Sequence, residues 1–392
     1  MRFRLERDVL AEAVGWAARS LPTRPPVPVL AGLLLELADG ELTLSSFDYE
    51  VSARVRLSVD AGEEGQALVS GRLLSEIARS LPSRPVEFIA DAGKVSVTCG
   101  SARFVLPTLP VEDYPPLPDM PGASGAVPSD VFAAAVGQVA IAAGRDDTLP
   151  VLTGVRLEIA GESVTLAATD RYRLAVRELT WKPEQPDAAT VALVPARTLA
   201  DSARALTSGD MVTLALSASG HGEGLIGFEG AGRRITSRLL DGEFPKYRSL
   251  LPHEYAAVAE LDTASFVEAV RRVALVAERN TPVRLNFSAD GCQLEAGAGE
   301  DAQAAETVEA DLEGEDMAIA FNPTYLLDGL TALGTARAKL SFTTPIRPAV
   351  LTAARPDDDD AATGAATGAA TGAATGGSDE YQYLLMPVRL SG

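Results

Sequence analysis

The side chains able to do chemistry in this 392-residue chain are few and poorly grouped. His221 and His253 belong to no ligand-spaced cluster, so a zinc site is not expected. Cys99 and Cys292 fall in strand-like segments far apart in the chain and read as reduced, buried structural thiols, which fits a cytoplasmic protein. The stretch GEGLIGFEG at 222–230 lacks the Lys-Ser/Thr ending of a phosphate-cradling loop. Asp170, in Ala-Thr-Asp, could serve as a catalytic acid, and Arg171 and Arg173 beside it could hold an anionic substrate. No nucleophile or base stands next to them, and the counterpart of Asp170 in an internal repeat, Asp48, points to a turn-former. The reading is therefore non-catalytic, with no cofactor and no metal.

Arginine is the other chemical signal. The net charge of −20 taken alone argues against a polyanionic partner. The helical segments depart from that average: they carry Arg19, Arg72, Arg79, Arg145, Arg197, Arg204, Arg271, Arg272 and Arg279 against Glu12, Glu76, Asp130, Asp201, Glu268 and Glu278. A mildly basic set of helices in an acidic chain is expected where phosphates pass one face and the outer surface stays soluble.

The elements that must position these residues follow from a repeat. The stretch from Asp8 to Arg54 lays on Asp130 to Val176 without a gap, at a constant offset of 122. Leu10, Ala13, Val14 and Ala17 then match Phe132, Ala135, Val136 and Val139, one apolar helical stripe. Pro28, Leu30, Gly32, Leu44 and Asp48 match Pro150, Leu152, Gly154, Leu166 and Asp170. A third copy starts near Thr263, with Phe266, Ala269, Val270 and Val273 in the same helical places. Each copy is itself doubled, helix then strands, twice: Arg72, Leu74, Ala78, Arg79 and Leu81 match Arg197, Leu199, Ala203, Arg204 and Leu206, and Leu326, Asp328 and Leu333 match Leu199, Asp201 and Leu206. The expected domains are 1–122, 126–255 and 258–392, each two helices on antiparallel sheets, an α+β class. Residues 356–379, an acidic run followed by Ala-Ala-Thr-Gly repeats, have no bulky apolar side chain and read as a flexible surface loop. No apolar run reaches the roughly 18 residues of a membrane span, and the charged N-terminus does not read as a signal peptide.

Three doubled domains hold six helices, and a two-fold dimer would hold twelve. At about 10 Å per helix the circumference is about 120 Å, which leaves a hole about 28 Å wide inside the helix surfaces. A DNA duplex passes through such a hole with room for water.

At this point the chain resembles the bacterial sliding clamps, the beta subunits of DNA polymerase III, and its N-terminal half resembles the actinobacterial type. The likeness is carried by LPVLTGVRLE at 149–158, ATDRYRLAV at 168–176, GEFPKYRSLLP at 242–252, FNPTYLLDGL at 321–330 and YLLMPVRL at 383–390, in this order and on a threefold repeat. The resemblance implies three clamp domains in a head-to-tail homodimeric ring. Such a ring encircles double-stranded DNA without reading sequence and catalyses nothing. It tethers a clamp loader, the replicative polymerase alpha subunit and other clamp-binding-motif proteins, with no membrane partner.

The resemblance also implies sites. Partners of the family insert a short apolar peptide between the second and third domains. The implied walls start with Leu152, Thr169, Arg171, Tyr172, Arg173 and Leu174. They continue with Pro245, Leu250, Asn322, Tyr325 and Ile346, and close with Leu384, Leu385, Met386, Pro387, Val388, Arg389 and Leu390. Ser249 and Asn280 depart from the family's usual Arg and aromatic. DNA contacts are implied at Arg24 and, by helix position, at Gln138, Arg145, Arg197, Arg204, Arg271 and Arg279. The ring interface is implied at Leu74, Ile77, Arg103 and Phe104 on one end, and on the other at Ala274 and Leu275 with Glu295, Glu300 and Glu306. Two other readings stay open on sequence: a repeat scaffold that only binds peptides, and an enzyme working on an anionic substrate in the Arg171–Arg173 cleft.

Overall fold

The computed structural model describes residues 1–91, 93–217, 224–277, 281–297, 302–354 and 381–389. His221, Arg279, Asn280, Glu300, the 356–379 segment and Leu390 lie outside the described residues.

Six α-helices occur among them: α1 Arg7–Ala17, α2 Gly71–Ser80, α3 Ser129–Ala140, α4 Ala196–Ala205, α5 Thr263–Val273 and α6 Pro323–Leu333. Each forms where the apolar stripe requires it. In α1, Leu10, Ala13, Val14 and Ala17 are buried; in α5, Phe266, Ala269, Val270 and Val273 are. Caps set the ends of the third-repeat helices. Asp262 accepts the Ser265 N–H at 2.8 Å ahead of α5, and Asn322 accepts those of Thr324 and Tyr325 at 2.9 and 3.3 Å ahead of α6. Pro323 starts α6 where a missing N–H costs nothing, and Gly334 ends it at φ 67°, a left-handed cap.

Among the described residues the strands form three antiparallel sheets of 14, nine and four strands. The chain packs as two compact units. One comprises Met1–Ala133, Trp181–Thr190 and Thr198–Leu239; the other comprises Ala134–Thr180, Val191–Arg197 and Leu240–Gly392. These boundaries cut through the middle repeat, for a physical reason: strands of successive repeats pair edge to edge. In the first unit, Arg233–Arg238 of the middle repeat pairs with Val51–Ser58 of the first. In the second, Tyr381–Leu385 of the third repeat pairs with Arg173–Thr180 of the middle one.

Both cysteines are buried and free, and burial pushes the Cys292 thiol up to about 12, so it is inert near neutrality. No helix among the described residues is long and apolar enough to cross a membrane.

One helical expectation needs correction. α3 stops at Ala140, where the chain turns through Gly144, whose N–H donates to the Leu152 carbonyl at 2.7 Å. Arg145 is therefore on a loop and not on a helix.

Candidate functional site

The second unit's site is built on a turn that joins two strands, Ser163–Thr169 and Arg173–Thr180. Asp170 Oδ1 accepts the N–H groups of Tyr172 and Arg173 at 3.0 and 3.1 Å. Arg171 takes φ 81°, a left-handed conformation that a short loop between paired strands demands. The hydroxyl of Thr169 donates to the Arg173 carbonyl at 2.7 Å and locks the base of the turn.

The turn aims the Arg173 side chain inward, where only 5 % of it stays exposed. Its Nε donates to Asp170 Oδ2 at 2.9 Å, and its Nη1 donates to Asp328 Oδ2 on α6 at 2.6 Å. Its guanidinium carbon lies 4.4 Å from the centre of the Tyr325 ring. Burial opposes the Arg173 charge, but Tyr383, Asp328 and Asp170 outweigh it and raise the pKa, so the cation is permanent. Tyr383 hydroxyl in turn donates to the Tyr325 carbonyl at 2.8 Å, and burial raises its pKa, keeping it a neutral donor.

Above this network lies a cleft of about 450 Å³, lined by the 143–146 loop, Leu149, Leu152, the 170–173 turn, Thr324, Tyr325 and Asp328. Tyr172, 54 % exposed, stacks on Tyr325 with ring centres 6.3 Å apart. The cleft is more charged than an apolar slot: Arg145, Asp146, Asp170, Arg171, Arg173 and Asp328 all contribute. At its mouth the Thr148 hydroxyl and N–H hold the Asp146 carboxyl below its ordinary value, helped by the charge of Arg171.

The expected walls divide into three groups. Leu152, Arg171, Tyr172, Arg173 and Tyr325 come together around the cleft. Thr169, Leu174, Leu384 and Leu385 are buried, and Leu174 and Leu384 belong to the core beneath, with Phe244, Tyr247 and Val350. These four support the wall from behind and are corrected from wall to core: the cross-strand pair Leu174 and Leu384 faces that cluster, and Leu385, paired with Arg173, is buried on the opposite face of the sheet. Asn322 caps α6, and Pro245 lines a different cavity of about 420 Å³ with Arg156, Glu158 and Arg248. Leu250, Ile346 and Met386 are exposed at 51 %, 72 % and 40 %. Met386 N–H donates to the Tyr172 carbonyl at 2.9 Å, and Val388 N–H to the Ala320 carbonyl at 2.8 Å, so the segment through half-buried Pro387 to exposed Arg389 is tied down at two points. The sequence reading missed Asp328, which stands three residues after Tyr325 and so on the same face of α6.

The DNA candidates separate as well. In the first unit Arg19, Arg79, Arg204 and Arg233 surround a cavity of about 290 Å³ over Trp16, with Glu12 as its one carboxylate. Glu12 is taken by Arg233, and Arg204 pairs with Asp201 at 2.9 Å. Arg19 and Arg79 are exposed and have no ion pair among the described residues; the match of Arg79 to Arg204 in the repeat was the signal that could have found the group. Arg24 and Arg197 are exposed, and Arg271 pairs with Glu268 at 2.6 Å. Gln138 is a correction. Its amide donates to the Ala332 carbonyl at 3.1 Å and its backbone carbonyl accepts from the Tyr381 hydroxyl, so half-buried Gln138 ties α3 to α6 and its amide N–H is already engaged.

At the expected ring ends, Leu74 and Ile77 are buried, at 0 % and 7 % exposure, as the apolar face of α2 requires, and are corrected from interface to core. Arg103 is exposed and Phe104 half-buried, on the strand Ala102–Leu109. Leu275 is 85 % exposed beside half-buried Ala274.

Comparison with known proteins fits this geometry. Family models match in tandem: DNA polymerase III beta subunit, N-terminal domain at residues 1–118, central domain at 126–246 and C-terminal domain at 248–363. The beta sliding clamp of Streptomyces coelicolor is 64 % identical over 392 residues, the full length of both chains. The chain belongs to the DNA polymerase III beta subunit family. The beta sliding clamp homolog GriR of Streptomyces muensis is 46 % identical over 99 % of each chain. Among solved structures, the sliding clamp of Bacillus subtilis aligns at a TM-score of 0.87 with 25 % identity, and that of Pseudomonas aeruginosa bound to griselimycin at 0.88 with 27 %, each covering both chains fully. As a beta subunit the chain is a non-catalytic processivity factor of DNA replication, an actinobacterial-type sliding clamp with three clamp domains. The enzyme reading of the Arg171–Arg173 cleft therefore falls.

Proposed function

We propose that two copies close head to tail into a ring around double-stranded DNA and hold replication proteins at the Arg173 cleft. The observation that carries the ring is a pair of strands with one unpaired edge each among the described residues. Arg103–Leu106 pairs with a neighbour on one side only, and Ala304–Val308 ends the four-stranded sheet. Such edges invite pairing by another chain. Exposed Arg103 on one edge and Glu306 on the other, the latter already bridged to Arg272 at 2.5 Å, favour unlike ends meeting. The residues in contact are then Arg103 and Phe104 on one copy and Ala274 and Leu275 on the other, and the repeats 1–122, 126–255 and 258–392 are the ring's domains.

The DNA is held by phosphate contacts from Arg24, Arg197, Arg204 and Arg271, joined by Arg19 and Arg79, without sequence readout. The cleft takes an apolar peptide from the clamp loader, the polymerase alpha subunit and other clamp-binding proteins, in the cytoplasm. Griselimycin, to which the Pseudomonas aeruginosa clamp is bound, is expected to occupy it as well.

Two experiments test this. The protein is loaded by a clamp loader on nicked circular DNA, and the DNA is then cut. Release on linearisation is expected; retention on the linear form would contradict topological linkage. Replacing Arg79 and Arg204 by Ala is expected to lower the slope of log affinity against log salt by about 0.9 for each phosphate that is no longer neutralised. An unchanged slope removes that cavity from the DNA path.

A further inference from the structure

Arg173 carries one charge and is met by two carboxylates. Asp170, in the same turn, already neutralises it. Asp328 reaches it from a different element, α6, and remains 37 % exposed. What the second carboxylate adds is direction. A planar guanidinium held at Nε by Asp170 and at Nη1 by Asp328 has its plane fixed by acceptors on two elements.

The guanidinium carbon lies 4.4 Å from the Tyr325 ring centre, where a cation attracts the ring face. The backbone of α6 is pinned independently: Tyr383 donates to the Tyr325 carbonyl, and its ring lies against Gly329, where an added Cβ would clash with it. The Tyr325 hydroxyl has no hydrogen-bond partner among the described residues. With the backbone fixed and the far end of the ring untethered, the guanidinium is what orients the ring. The oriented ring then stacks on Tyr172 and forms the aromatic wall of the cleft.

We propose that Asp328 is a positioning residue for docking: by aligning the Arg173 guanidinium against Tyr325 it preorganises the Tyr172–Tyr325 wall for an apolar side chain of the bound peptide. This rests on the cleft being the docking site. Asp328 acts through Arg173 and Tyr325: it lowers the ordering cost that the peptide otherwise meets.

The test is isothermal calorimetry of the full-length protein with griselimycin. Asp328→Ala is expected to weaken binding about ten-fold, and Asp328→Asn, which still accepts from Nη1, about two- to three-fold. In a Tyr325→Ala background, Asp328→Ala is expected to cost less than about two-fold, because the ring it positions is gone. Unchanged affinity in Asp328→Ala, or the same ten-fold loss without Tyr325, overturns the positioning role and leaves the docking site standing. Failure of the wild-type protein to bind takes down both. A cooperative unfolding transition and the wild-type dimer mass of Asp328→Ala in analytical ultracentrifugation are expected and show that the fold is intact, so that a ten-fold loss belongs to the cleft.

Discussion

The Asp48 turn of the first unit and the Asp170 turn of the second are the same backbone with different consequences. Asp48 accepts the N–H groups of Glu50 and Val51 at 3.0 and 2.6 Å, as Asp170 accepts those of Tyr172 and Arg173. Tyr49 sits at φ 76° and Arg171 at φ 81°. Even the closing bond recurs: Arg238 N–H donates to the Glu50 carbonyl, and Met386 N–H to the Tyr172 carbonyl. The difference is in side chains. Val51 ends the first turn with an apolar group. Arg173 ends the second with a cation that reaches Asp328, whereas Asp201, the repeat counterpart of Asp328, spends its charge on Arg204 of its own helix. Three substituted positions in a repeated turn, Arg171 for Tyr49, Tyr172 for Glu50 and Arg173 for Val51, separate it from the turn that lines the cleft.

The most damaging way to break the comparison is to make the second turn like the first. Arg173→Val leaves Asp170 and Asp328 without their cation in a largely buried place, and is expected to destabilise the protein by about 3 kcal/mol in chemical denaturation. Griselimycin binding is expected to vanish with it. Stability unchanged within about 0.5 kcal/mol would mean that the pair is dispensable.

A smaller effect tests whether the backbones are truly alike. Asp48→Ala and Asp170→Ala each strip two backbone donors of their acceptor, and about 1–2 kcal/mol is expected from each turn by hydrogen-bond loss alone. Asp170→Ala is expected to cost more, since Arg173 also loses a partner. Equal costs would say that the ion pair adds nothing. Tyr49→Gly and Arg171→Gly each relieve a left-handed residue. Denaturation is expected to show a gain of about 0.5–1 kcal/mol at Arg171, and less at Tyr49, which gives up its edge contact with Phe47.

The smallest effect is electrostatic and belongs to the second site alone. The Asp146 pKa lies below 3.8 because of Thr148 and Arg171. A depressed carboxylate contributes stability above its unfolded value, and that contribution is lost as pH falls through the folded pKa. Thr148→Ala is expected to return the Asp146 titration, followed by NMR, towards 3.8. An unmoved titration would assign the depression to the backbone N–H at position 148 and the charge of Arg171. At the matching place in the first repeat stands Arg24, and no such acid-side loss is expected there.

Much of this was legible in the sequence because it depends on local pattern. The apolar stripes at 3.6-residue spacing placed the helices to within a few residues, as α1 and α5 show. The Asp48–Asp170 match marked both turns, since an Asp side chain that caps its own turn needs no distant partner. What the pattern could not show was which face a residue takes once strands pair. Leu174, Leu384 and Leu385 read as cleft walls and prove to be core. Gln138 read as a DNA contact by helix position, and its amide donates to the Ala332 carbonyl.

By itself the sequence determined the threefold repeat, the helix stripes, the turn chemistry and, through its motifs, the family. Those are encoded in short-range spacing and in residue order. Only the tertiary structure decided that the chain packs as two units cutting through the middle repeat, and that Asp328 joins Arg173 from 155 residues away. The physical reason is one and the same: edge-to-edge strand pairing and buried charge pairing are contacts between distant segments, and no local periodicity records which distant segment arrives.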